Sequence, residues 1–268
     1  MGIIGGLVRS KAMDWLSYLA GGLLLMAVAK FAGDWAGTRS ANAYKAAHSE
    51  DWRESATRQL KSQNPFPAGT EHHQVFDKAI DKLMESPFRY YVENEVQRRK
   101  LTLEQAVAFG KAAVPDLQRK GMIRMSTADL AQIVQFNALL LAALPTSACA
   151  HAWKGTATPD DLQANNKVFA GMSAAAYEQY RNLVLRALDA GTPAVPPPQP
   201  PSEQRIRSIF LAIQKQIGDS NYQRLVKDLS AASIGDDETC WMARTALSSA
   251  VKMSPDAQAD LYRALLAP

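Results

Sequence analysis

What this chain lacks narrows its function before anything it contains is read. It has two cysteines and four histidines in 268 residues, too few and too scattered for a zinc site of local Cys/His spacing. No Gly-rich phosphate loop, HExxH, GxSxG or dinucleotide fingerprint occurs, so no motif announces phosphoryl transfer, zinc proteolysis, serine hydrolysis or hydride transfer. No stretch keeps a period of two with β-branched residues, and no sheet is expected. Charge of neither sign dominates: the net is +4, and setting aside residues 1–32 removes Arg9, Lys11, Lys30 and Asp14 to leave +2. A nucleic-acid partner asks for a basic face that so even a balance does not supply. The one basic run, Arg98-Arg99-Lys100, falls where a helix should end, and there cations offset the carbonyl dipole.

Long apolar runs are equally scarce, with one exception: Trp15–Ala29, WLSYLAGGLLLMAVA, carries no charge. A spanning helix needs about 20 mostly apolar residues to cross roughly 30 Å of hydrocarbon. The segment 13–32 reaches that length once Met13 and Phe31 are counted and Lys30 extends its ammonium to the headgroups. Trp15 and Tyr18 at one end, with Phe31 and Trp35 at the other, stand where a membrane's aromatic belts would be. The expected element is a single transmembrane signal-anchor behind a short basic tail, 1–12. A cleaved signal is the competing reading, because Ala27-Val28-Ala29 is a small-x-small site. A buried core helix is the third. Arg9 and Lys11 hold the tail in the cytoplasm. The rest is then expected in the periplasm of a bacterium, tethered to the inner membrane by a single pass.

Beyond the anchor the sequence reads as helix after helix. Ser86-Pro87, Thr158-Pro159 and Ser254-Pro255 each put a hydroxyl before a proline suited to the first helical position. Thr102–Gln105 and Ser126–Asp129 have capping-box spacing. Gly121, Gly191 and Gly218 stand where helices should stop, and Pro115 should kink or divide the helix containing it. Apolar spacing between these marks predicts helices at about 71–85, 87–100, 103–120, 127–144, 148–154, 159–170, 174–190, 203–217, 220–232, 237–252 and 255–266. The segment 127–144, with Leu130, Ile133, Val134, Phe136, Leu139, Leu140 and Leu141, is the expected centre of the core. The expected fold is therefore all-α: one N-terminal anchor helix followed by a multi-helix, bundle-like domain. Its parts are a helical domain with a juxtamembrane stalk (33–190), a Pro-rich linker (191–201) and a smaller helical segment (202–268). The linker composition favours an extended spacer.

The chemistry-bearing residues form no complete site. His73 and Asp77 share a helix face beside Glu71 and His72 and could supply two metal ligands, with no third at local spacing. Cys149 and His151 are two residues apart, as are Glu93 and Glu95, and that spacing points side chains to divergent sides of a helix. Phe88, Tyr90 and Tyr91 read as packing rather than a sugar platform. In an exported domain Cys149 and Cys240 read as one disulfide. No catalytic, cofactor or metal residue is assigned. The expectation is a membrane-anchored, non-catalytic interaction module of the envelope with a protein partner, one form of which is an immunity or inhibitor protein. The alternative is a periplasmic enzyme acting on cell wall or lipid.

Overall fold

The computed structural model describes residues 54, 57, 58, 60–100, 103–192, 198–230 and 234–266. The anchor 13–32 with Trp15, Tyr18, Phe31 and Trp35, most of the stalk, Thr102 and the centre of the Pro-rich linker lie outside them. Among the described residues the fold is all-α, with eleven helices and no strand. They are α1 (Glu71–Glu85), α2 (Pro87–Arg99), α3 (Leu103–Arg124), α4 (Thr127–Ala143), α5 (Thr146–Lys154) and α6 (Pro159–Gly171). The rest are α7 (Ala174–Gly191), α8 (Glu203–Ile217), α9 (Asp219–Ser230), α10 (Asp236–Val251) and α11 (Pro255–Leu266). None of these is long and apolar enough to cross a membrane.

By contact the chain divides into two compact units, neither continuous in sequence. One takes α1, α2, α3 as far as Gly121, and α7 (the arginine unit below). The other takes residues 122–168 and 196–268, hence α4, α5, most of α6 and α8–α11 (the disulfide unit).

In the arginine unit, α1 starts because the Thr70 hydroxyl accepts the His73 N–H at 3.2 Å. It buries Phe76, Ala79, Ile80 and Leu83, a 3–4 spaced stripe, against α7. One sequence expectation is narrowed here and one is corrected. The helix containing Pro115 is not divided: α3 runs on through Pro115 to Arg124. Proline forfeits one ladder bond, and burial of Val114, Leu117 and Gln118 holds the turns around it. Gly121 stops nothing. It lies inside α3, where an added Cβ would fall 1.6 Å from the Ala187 carbonyl oxygen. Gly191 does close α7, and a Cβ there would fall 1.9 Å from the Leu117 carbonyl oxygen. The two glycines let the backbones of α3 and α7 touch.

In the disulfide unit, α4 packs on both α10 and α11. It buries Leu130, Ile133, Val134, Leu140 and Leu141, while Leu139, expected among them, is 62% exposed. Asn137 is fully buried and donates to the Tyr262 hydroxyl at 2.8 Å, so the polar residue inside this apolar helix is a cross-link to α11. Arginines close two helix ends. Arg244 donates to the carbonyls of Leu141 and Leu144 at 2.9 and 2.6 Å, and Arg263 donates to that of Met125 at 3.0 Å. Cations there satisfy carbonyls that the helix leaves unpaired.

Candidate functional site

Cys149 on α5 and Cys240 on α10 are joined as a disulfide, Cα–Cα 5.4 Å, across 91 residues of chain. Both are at most 1% exposed. Further along α5, His151 and Lys154 build a polar network with Asp161 and Asp236. The His151 Nδ1 lies 2.9 Å from Asp161 Oδ2, and the same oxygen accepts the Thr158 N–H and hydroxyl, each at 2.7 Å. Burial alone would raise the Asp161 pKa; the Thr158 donors and His151 outweigh it and hold the carboxyl below its ordinary value. An ionised carboxylate only accepts, so Nδ1 is the protonated nitrogen. The other ring nitrogen, Nε2, lies 3.6 Å from Asp236. Lys154 donates to Asp236 at 2.8 Å and to the Ile234 carbonyl at 3.0 Å, and the lysine is the main cause of a lowered Asp236 pKa. With the sulfur bonded and the imidazole between carboxylates, Cys149 and His151 do not form a thiol–base pair.

The other residues singled out in the sequence are engaged separately. Glu93 pairs with Arg89 at 2.9 Å. Glu95 receives Arg98 and Arg99 at 2.7 and 2.8 Å, and these pairs, Arg98 first, pull its pKa down to about 2. Two of the three residues in the basic run are thus held by a carboxylate of their own helix. Phe88 is buried, Tyr90 is half exposed under the Arg89 guanidinium at 3.9 Å, and Tyr91 is intermediate. Asp77 accepts from the Asn64 amide at 2.8 Å and lies 3.6 Å from His73, while His72 turns away to stack on Tyr177 at 5.6 Å. No group of three or more metal-capable side chains assembles among the described residues.

Sequence reasoning missed the most unusual group, Arg181. It sits on α7 at 2% exposure, with its guanidinium over the Phe76 and Tyr177 rings at 5.4 and 5.6 Å. Among the described residues its Nε and Nη2 make no hydrogen bond, nor do the buried Tyr177 hydroxyl and His72 Nε2. Phe66 and Phe169 pack against Tyr177 at 5.2 and 5.4 Å. Burial pushes the Tyr177 phenol above its ordinary pKa, against the pull of the arginine. The available signal was Tyr177 and Arg181 at i, i+4, facing the same way as the apolar stripe of α7. Nearby, a groove of about 480 Å³ is lined by Lys82, Glu85, Ser86, Asn182, Leu185, Arg186 and Asp189. Asp189 is committed to structure. It accepts the Phe88 N–H at 3.3 Å and caps α2, while Ser86, the expected cap, donates instead to the Leu83 carbonyl at 2.8 Å.

The fold and these sites define an all-α protein stapled by one buried disulfide. No family model, curated protein or solved structure matches the chain.

Proposed function

We propose that this chain is a non-catalytic helical interaction module of a bacterial envelope, anchored by residues 13–32 with its helical part on the periplasmic side, and of the immunity or inhibitor type. The observation that carries the reading is the engagement of the chemistry-bearing side chains. Glu93, Glu95, Asp77, His151 and Asp161 are each held by neighbours in the fold, as a scaffold needs. The buried disulfide supports an oxidising compartment. An immunity role implies a toxin encoded beside it that meets it at the periplasmic face. Titrating the purified full chain with the products of its flanking genes tests this. A tight one-to-one complex that protects cells from one product is expected; no binding by any of them contradicts it.

One observation favours the alternative, an enzyme of wall or lipid chemistry. Asp161 orients His151 as a carboxylate orients a general base. That reading expects His151→Ala to abolish turnover of peptidoglycan or phospholipid with the helical content unchanged. The interaction module expects no turnover to lose.

A further inference from the structure

We propose that Arg181 and Tyr177 form a buried binding site for a small carboxylate. In a guanidinium, Nε–H and Nη2–H lie along one edge as two parallel donors, and that edge matches the two oxygens of a carboxylate. Among the described residues, Arg98 and Arg224 use the same edge in that way. Arg98 Nε and Nη2 donate to the two oxygens of Glu95 at 2.9 and 2.7 Å, and Arg224 Nε and Nη2 donate to those of Glu238. Both of these pairs are exposed, where water would serve the arginine as well. Arg181 reverses the situation. Its edge is buried, and among the described residues it has no acceptor at all.

Arginine cannot shed its charge to escape this, as a buried lysine can. The Phe76 and Tyr177 rings that face it offer the negative face of a quadrupole but no lone pair along the donor edge. A buried ion without a counter-group is the least favourable arrangement a fold can hold. The Tyr177 hydroxyl, buried and unbonded beside it, is a further donor, and the His72 ring stacked on Tyr177 adds an unbonded Nε2. The positive charge selects an anion, the paired donors select a planar group with two oxygens, and the burial selects a small one. The inference is independent of the interaction role proposed above.

The test uses the full chain at constant ionic strength, with ¹³C-formate and ¹³C-acetate as probes. Two signals are followed, the line width of the probe and the melting temperature of the protein. Expected are saturable broadening and a saturable rise of about 2–4 °C. Arg181→Lys keeps the charge and loses the paired edge, and should abolish saturation. Tyr177→Phe should weaken binding about tenfold, for one lost hydrogen bond to a charged group. Should the lysine variant fail to fold, the phenylalanine variant carries the test, since it removes a single hydroxyl. No saturable response to either probe overturns the proposal. So does an equal response to chloride, or wild-type affinity in Arg181→Lys or Tyr177→Phe.

Discussion

Two polar clusters, one in each unit, differ in how completely their buried groups are paired. Around the disulfide, Asp161 has three donors, His151 has Asp161, and Lys154 has Asp236 and a carbonyl. Around Arg181 the Nε and Nη2 of a more deeply buried guanidinium, a phenol hydroxyl and an imidazole nitrogen have no hydrogen-bond partner among the described residues. A completed network rigidifies what it joins, here the helices that the disulfide already ties. An incomplete one costs stability unless something outside the protein fills it. The difference assigns structure to the first cluster and ligand binding to the second.

The largest effect expected from breaking this contrast is at the disulfide. Replacing Cys149 and Cys240 by alanine frees a loop spanning 91 residues and should cost about 3–4 kcal/mol, read as a lower urea midpoint. Next is the backbone contact in the arginine unit. Gly121→Ala drives a methyl group into the Ala187 carbonyl and should cost about 2–3 kcal/mol. Gly171→Ala, with nothing within 4 Å of the new atom, should be neutral or slightly stabilising. Third comes the sharpest contrast between the clusters. Arg181→Met removes an uncompensated buried charge and should stabilise the ligand-free chain by about 1–3 kcal/mol, whereas Asp161→Asn breaks a satisfied network and should destabilise it by about 1–2 kcal/mol. Thermal or urea denaturation of the two variants side by side gives the two signs.

The smallest effect is the dependence on pH. The folded-state pKa values of Asp161 and Asp236 are lowered, so their contribution is full above the ordinary aspartate value of about 3.9 and is lost as pH falls through the lowered values. That of Asp189 is raised, burial outweighing the hydrogen bond from the Phe88 N–H. It therefore adds stability as pH falls through its raised value toward 3.9 and none below. Asp189→Asn should flatten the upper part of the acid limb, and Asp161→Asn the lower part, in denaturation midpoints measured from pH 6 to pH 2.

The helices were legible because their signals are local. Ser126, the head of a capping-box spacing, caps the helix it precedes, and the 3–4 stripe of α1 is the face it buries. The pairing of Cys149 with Cys240 was legible because only two cysteines exist to pair. The misses are positions where a partner distant in sequence decides the outcome. Gly121 is a glycine because of Ala187, the cap of α2 comes from Asp189, and α3 continues through Pro115 because its flanking turns are buried. Leu139 reads as core by hydropathy, but it points away from both helices that cover α4. Arg181 was invisible for a related reason: a charged residue in an apolar stripe normally reaches solvent, and nothing local shows that this one does not.

A staple formed in an oxidising compartment underlies the whole reading, and both sulfurs are buried, so labelling in the native state cannot tell a disulfide from a shielded thiol. Cells making the full chain should be acid-quenched, fractionated and denatured, then treated with a maleimide reagent with and without prior reduction. Expected is a membrane-associated protein in which Cys149 and Cys240 label only after reduction. Free labelling of both cysteines in denaturant alone, in protein recovered from the cytosol, would contradict it.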